Sequence, residues 1–144
     1  MLKARTKLAC KIAGVDPARF NEMVHFGKYP CAPETNPGSA RVFTEDDIIA
    51  LSIFAELTEL TISAEKAGWM ACQVLGCIRE KPEVTHVSFM RGKSYGTFLP
   101  FCIDPTKRYG GLPAPMSWMT FDIAARRAHV IELLEEEASI LGSE

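Results

Sequence analysis

Hydrophobic residues near the N-terminus recur at helical spacing in two short segments. In "TKLACKIAG" they predict a helix from about Thr6 to Ala13, and Gly14 suits the left-handed position after its end. Asp16 and Pro17 predict a second helix, because Asp accepts the free N–H groups of a first turn and Pro has no N–H to lose. The order of helix, turn and helix is that of a helix-turn-helix motif.

Two longer helices are predicted after a segment rich in proline and glycine. The segment "GKYPCAPETNPGSARVF", residues 27–43, predicts a loop or a short β-hairpin. Thr44 caps the next helix, with Asp47 at the position that Glu holds in a capping box. Ser63 caps a further helix, whose apolar residues share one face as far as Ile78.

Beyond position 84 the pattern changes from helical spacing to alternation. The segments "THVSFM", "YGTFLPFCI" and "SWMTFDI" predict three short strands, and Pro100 restricts the second strand to an edge. The segment "AARRAHVIELLEEEASIL" predicts a last helix. The predicted fold is therefore mainly α with a small α+β C-terminal lobe, divided into residues 1–80 and residues 84–144.

Composition adds expectations about compartment and thiols. Of the 144 residues, 47% are hydrophobic, but they form neither a membrane-spanning run nor a secretory signal, so we expect a cytoplasmic protein without membrane contact. An odd number of cysteines without Cys-x-x-Cys pairs predicts reduced thiols; they lie at positions 10, 31, 72, 77 and 102. The alternative is a soft-metal site that uses Cys72, Cys77, Cys102 and His86. Because a five-residue spacing fits one helix face poorly, we expect buried thiols, no metal and no cofactor.

Charge is distributed unevenly along the chain. Residues 1–44 carry seven basic and three acidic residues, a balance of +4. Residues 45–144 carry nine basic and fifteen acidic residues, a balance of −6. A basic head on an acidic body is typical of a nucleic-acid contact confined to one end, and ordinary unevenness of surface charge is the alternative.

Two segments together resemble a known family. "CKIAGVDPARF" and "GSARVFTEDDIIAL" are similar to the MerR-type winged helix-turn-helix family of bacterial DNA-binding regulators, and the resemblance covers residues from about 5 to about 78. It is carried by Gly14-Val15, by the step Gly27–Pro30, and by Arg41 to Thr44. The resemblance implies an N-terminal winged helix-turn-helix, with a recognition helix at about 16–26 and a wing at about 27–43.

The resemblance also implies roles for individual side chains. Arg41 would bond a phosphate, Arg19 would read guanine, and Asn21 would read adenine or hold a phosphate. Lys11 and Lys28 would bind the DNA backbone. The predicted DNA-binding residues are Thr6, Lys11, Arg19, Asn21, His25, Lys28 and Arg41. The alternative for Arg41 is a surface arginine that closes the loop through a salt bridge to Asp46 or Asp47.

Other segments carry weaker signals. "RGKS" lacks the glycine and the strand-to-helix context of a phosphate loop, and the three histidines stand in no recognisable catalytic pattern, so we expect no enzyme. The aromatic residues of the C-terminal lobe either fill its core or line a small-molecule pocket; they are Trp69, Phe98, Phe101, Tyr109 and Trp118.

The predicted function is sequence-specific regulation of transcription on duplex DNA. We expect a bacterial or phage protein of the nucleoid that forms a homodimer, with a C-terminal lobe that contacts itself or a protein partner. Two departures from the family favour an alternative. Asn21-Glu22-Met23 replaces a second basic residue, and the long dimerisation helix is missing. The alternative is a phage-type accessory or antirepressor protein that uses the winged helix as a protein-interaction module.

Overall fold

The computed structural model describes residues 2–93, 98–103 and 115–141, with side chains up to position 138. Within these ranges there are five helices and five strands. In chain order the elements are β1 (Lys3–Arg5), α1 (Thr6–Ala13), α2 (Pro17–His25), β2 (Val42–Thr44), α3 (Glu45–Glu59), α4 (Ala64–Glu80), β3 (His86–Gly92), β4 (Leu99–Phe101), β5 (Pro115–Asp122) and α5 (Ile123–Leu141).

The predicted fold class is wrong, because the protein is a mixed α/β structure rather than a mainly α one. Helices make up 53% of it and strands 20%. Among the described residues the strands form two antiparallel sheets, one of β1 and β2 and one in the order β4-β3-β5. Strand β1 was missed because its three residues, Lys-Ala-Arg, are too few to show an alternating pattern.

The prediction of an N-terminal winged helix-turn-helix is wrong as well. Helices α1 and α2 are joined by a short turn as expected, but a wing requires two strands paired with each other within residues 27–43. Strand β2 pairs instead with β1, with Arg5 opposite Val42 and Lys3 opposite Thr44. Because the N-terminus supplies the partner strand, the fully described segment 27–41 is a loop without a strand of its own.

The helix ends confirm the local signals in the sequence. Gly14 ends α1 in the left-handed region with φ 85°, and the Asp16 carboxylate accepts a backbone N–H in the first turn of α2. Thr44 and Asp47 form a complete capping box at the start of α3. Ser63 caps α4 through its hydroxyl.

Helix α3 lies at the centre of the molecule. Buried residues occur on almost every side of this helix. Helices α1, α4 and α5 all pack against it, as does strand β2. A helix that is apolar all round is a buried helix, and here it forms the axis of the core. Its buried residues are Asp47, Ile48, Ile49, Ala50, Leu51, Ile53, Phe54 and Leu57.

One hydrophobic cluster extends through the whole described structure. It includes Phe43 at the N-terminal sheet, Phe89 in β3 and Val130 in α5. Helix α5, which the sequence assigned to the C-terminal lobe, packs on α3 and α1. The domain boundary at positions 80–84 stays a prediction, and the hydrophobic cluster crosses it.

The second sheet places β4 at an edge. Pro100 pairs with Phe89 of the central strand β3, as the sequence predicted for a proline-containing strand. The predicted start of this strand at Tyr95 lies outside the described residues, as do Tyr109 and the loop around it. No helix in the described part of the chain is both long and apolar enough to cross a bilayer.

The prediction of reduced thiols is wrong for four of the five cysteines. Cys31 is bonded to Cys72, and Cys77 is bonded to Cys102, with Cα–Cα distances of 5.5 and 6.0 Å. Only Cys10 is free, and it is buried. Five residues along a helix correspond to a rotation of about 140°, so the two cysteines of α4 point in different directions and each meets a different segment. No group of three or more metal-ligating side chains occurs among the described residues.

Candidate nucleic-acid interface

One face of helix α2 packs against the core, and the opposite face is exposed to solvent. Phe20 is fully buried and makes edge-to-face ring contacts with Tyr29 and Phe43, each at a centroid distance of 5.6 Å. Met23 is buried on the same side. These contacts fix the orientation of α2, which holds its polar side chains in solvent. The exposed polar residues of the helix are Arg19, Asn21, Glu22 and His25.

The predicted base-reading residues are accessible on this face. The Arg19 guanidinium has no hydrogen-bond or ion-pair partner in the described part of the chain, although its backbone N–H donates to Asp16 at 3.0 Å. The His25 ring lies edge-on to Phe26, with centroids 5.2 Å apart. Phe26 is 62% exposed, which is unusual for an aromatic residue at a helix end. The face therefore combines hydrogen-bonding groups with one apolar ring.

Lys11 lies in a different environment from the one that the resemblance implied. Its Nζ donates to Glu137 Oε1 of α5 at 2.7 Å, and this hydrogen bond raises the pKa of Lys11. The pair couples α1 to α5, so the Lys11 ammonium is already matched by a carboxylate. Thr6 is half-buried at the start of α1. Lys11 is thus paired with α5, unlike Arg19 on α2, whose guanidinium is unpaired within the described residues.

The loop of residues 27–41 is fastened to α4. Tyr29 is buried within the core, and the backbone carbonyl of Lys28 lies directly against Gly68. Cys31 is bonded to Cys72, one helical turn after Gly68. The partners of Lys28 and Cys31 lie about 40 residues away along the chain, so local sequence patterns do not reveal them.

Arg41 closes the second half of this loop. One of its guanidinium nitrogens donates to the backbone carbonyl of Pro33. The salt bridges considered as an alternative are not formed, because Asp46 pairs with Arg127 and Asp47 pairs with Arg79. Arg41 is half-buried at the exit of the loop, next to the exposed Val42.

The acidic residues of α3 and the basic residues near the N-terminus differ in how many ion pairs they form. Three acidic residues of α3, Asp46, Asp47 and Glu56, pair with arginines of α4 and α5. Several cations of the first 44 residues have no partner among the described residues. Three of them, in and next to β1, were not among the predicted DNA-binding residues. These unpaired cations are Lys3, Arg5, Lys7, Arg19 and Lys28.

His86 belongs to a polar group at the start of α5 that the sequence did not predict. His86 Nδ1 lies 3.0 Å from Thr85 Oγ1, and His86 Nε2 lies 3.8 Å from Asp122 Oδ2. The other carboxylate oxygen of Asp122 accepts the Ala125 N–H at 2.8 Å, so Asp122 serves as a helix cap. These contacts connect the start of α5 with the first residue of β3.

No protein-family model matches this chain, and a search of curated proteins finds no relative. The similarity to the MerR-type family therefore remains a resemblance between motifs. The interpretation of the site depends on its own geometry and charge.

Proposed function

We propose that this protein binds duplex DNA through the exposed face of α2. The observation that carries the proposal is that this helix presents Arg19, Asn21 and His25 to solvent at an end of the chain that keeps unpaired cations. An exposed helix of this width fits the major groove, where Arg bonds guanine and Asn bonds adenine. Glu22 on the same helix is compatible with the groove, since a carboxylate accepts a hydrogen bond from cytosine N4.

The flanking cations would contact phosphates. Lys28 lies three residues after the end of α2, and Arg41 lies at the exit of the loop of residues 27–41. Arg5 and Lys7 belong to β1 and α1, and both are exposed. Phosphate contacts fix the position of a protein on the duplex but read no sequence. We assign Lys11 a smaller part, because Glu137 already neutralises it.

The regulatory part of the proposal follows from sequence-specific binding. A protein that reads bases through one short helix covers few base pairs, so two copies on a repeated site would supply the specificity of an operator. We therefore propose a homodimeric regulator of transcription, in the cytoplasm and on the nucleoid.

A second function is favoured by exposed apolar side chains near the same elements. Phe26 is 62% exposed after α2, and Val42 is 45% exposed in β2. Aromatic residues are enriched at protein–protein interfaces. In this alternative the same end of the molecule binds a protein partner, as in a phage-type accessory or antirepressor protein.

Fluorescence anisotropy with a pool of random duplex DNA, at several salt concentrations, tests the proposal. We expect a selected site and a log–log salt slope of several units, since each phosphate contact contributes about −0.9. Arg19→Ala should lower the preference for the selected site about tenfold, within the range of one bidentate base contact. Lys28→Ala should weaken binding to all sequences and reduce the slope by about 1.

Lys81→Ala is the matched control, because Lys81 is an exposed cation at the C-terminal end of α4. It should change neither affinity nor slope. Weak binding with a flat salt dependence and no selected site would contradict DNA binding. The protein-interaction alternative would then be tested with Phe26→Ser in a search for a partner.

A further inference from the structure

We propose that the Cys31–Cys72 disulfide is a redox switch that orders the loop of residues 27–41 for DNA contact. The inference rests on the proposed function, because it assigns Lys28 and Arg41 of this loop to phosphates. It concerns regulation of the same site and adds a thiol-based signal to it.

The loop is attached to α4 at two neighbouring points. The carbonyl of Lys28 lies on Gly68, and Cys31 is bonded to Cys72 four residues further along the helix. Residues four apart lie on the same side of a helix, so the two attachments form one continuous contact. We call this contact the α4 clamp. The disulfide is its covalent part.

Beyond Cys31 the loop has little else to hold it. Residues 34–40 are all exposed. Gly27 and Lys28 bond back to α2, but within residues 29–41 the backbone hydrogen bonds are Ala32 N–H to Tyr29 O at 3.4 Å and Ser39 N–H to Asn36 O at 2.9 Å. Beyond Cys31, Arg41 adds a contact with the backbone carbonyl of Pro33. Segments with few buried contacts open at low free-energy cost, so loss of the disulfide should loosen this half of the loop.

The disulfide is placed for exchange with a dithiol. Both cysteines are only partly buried, which leaves the bond accessible. A dithiol reductant attacks Cys31 Sγ as a thiolate, the S–S bond breaks, and Cys72 leaves as a thiolate. The Cys31 N–H lies 3.3 Å from Cys72 Sγ and stabilises the charge on this leaving group.

The second thiol of the reductant completes the reaction. It attacks the mixed disulfide, releases Cys31 and closes the reductant into a cyclic disulfide. Two electrons pass to the protein. The two thiols of the reductant release one proton each, and each cysteine takes up one of these protons. The products are two protein thiols and one oxidised dithiol.

Loosening the loop should weaken DNA binding through entropy. A duplex that binds the reduced protein must order the loop at the moment of binding, and that cost subtracts from the affinity. The chain offers its own control. Cys77 and Cys102 form a second partly exposed disulfide on α4, but it joins the helix to the end of β4 and does not involve the loop.

The test uses the full chain, oxidised and after treatment with dithiothreitol. DNA binding is read by anisotropy with the random duplex pool, and amide hydrogen exchange is measured over residues 32–40. We expect the oxidised protein to bind DNA at least about fivefold more tightly than the reduced protein. This factor is at the lower end of the usual range for coupling between two sites. The double variant Cys77→Ser/Cys102→Ser should keep this response. Cys31→Ser/Cys72→Ser should bind like the reduced protein in both conditions.

Each outcome decides between the two proposals. Equal affinity of oxidised and reduced protein, with DNA binding intact, overturns the switch and leaves the proposed function standing. A response that disappears in Cys77→Ser/Cys102→Ser but persists in Cys31→Ser/Cys72→Ser also overturns it. If the oxidised protein binds no DNA, the proposed function fails. In that case faster amide hydrogen exchange of residues 32–40 on reduction still supports the α4 clamp. Unchanged hydrogen exchange overturns the ordering of the loop by the disulfide as well.

Discussion

The Cα of Gly68 lies so close to the backbone carbonyl of Lys28 that a Cβ at position 68 would overlap with the carbonyl oxygen. The glycine is needed here for its small volume and not for its backbone angles. It allows the chain leaving α2 to rest directly on α4. The relationship explains how the first residues of the proline-rich loop acquire a fixed position.

We expect Gly68→Ala to lower the free energy of unfolding by about 1–3 kcal/mol, the usual cost of inserting a methyl group into a tight contact. Gly76→Ala is the matched control on the same helix, because a Cβ there would meet no described atom within 4 Å. It should raise stability by about 0.5–1 kcal/mol through helix propensity. Urea unfolding measures both, and equal effects of the two variants would contradict the close contact.

Tyr29 carries a hydroxyl that the fold does not use. The side chain is 3% exposed, and its ring packs edge-on against Phe54 at a centroid distance of 5.3 Å. Its oxygen has no hydrogen-bond partner among the described residues. Tyr29→Phe should therefore leave stability unchanged or raise it by up to about 1 kcal/mol. Tyr29→Ala should cost about 3–5 kcal/mol, because it removes the ring.

Chemical denaturation of the two variants measures this difference. A loss of more than about 1 kcal/mol in Tyr29→Phe would mean that the hydroxyl has a buried partner, such as a water molecule.

Alkaline pH should destabilise the protein through Cys10. Burial, with a smaller contribution from the charge of Asp16, raises the pKa of this thiol from 9.0 to about 11. Between these values the unfolded chain has lost the proton while the folded chain retains it. Unfolding then releases a proton, and stability falls as pH rises from 9.0 towards 11. At about 1.4 kcal/mol for each pKa unit, the total decline from Cys10 is about 3 kcal/mol.

Urea unfolding at pH values across this range measures the decline. Tyr29 adds a loss of the same sign, because burial, then Asp47 and Cys10, raise its pKa. Cys10→Ala should reduce the slope of stability against pH without abolishing it. An unchanged slope in this variant would show that Cys10 does not cause the alkaline loss.

Asp47 should contribute more to stability than its ion pair does. Its carboxylate is nearly buried and accepts the Thr44 N–H at 2.9 Å and the Thr44 hydroxyl at 3.0 Å. It also pairs with Arg79 at 3.1 Å, but the Arg79 side chain is 59% exposed. Asp47→Ala should cost about 2–3 kcal/mol, from the lost cap and its charge-assisted hydrogen bonds.

Arg79→Ala should cost at most about 1 kcal/mol, as is usual for a pair with one exposed partner. Thermal unfolding compares the two variants. A similar loss in both would indicate that the ion pair with Arg79, and not the cap on Thr44, is the main contribution of Asp47.

By itself the sequence determined the features that depend on residues within a few positions of one another. Asp16 and Pro17 start α2, and Thr44 with Asp47 starts α3, because a cap acts on N–H groups two or three residues away. The exposed polar face of α2 could be predicted for the same reason, because Phe20 and Met23 lie three positions apart and mark the opposite, buried face.

The tertiary structure alone decided which distant residues meet. Cys31 is bonded to a cysteine 41 residues away, and Lys11 pairs with a carboxylate 126 residues away. Strand β1 exists because β2 returns to it after the loop, and three residues show no pattern without that partner. Such pairings depend on how the helices surround α3, and neither spacing nor periodicity along the chain records that arrangement. For this reason the two disulfides, the missing wing and the ion pair of Lys11 emerged only in three dimensions.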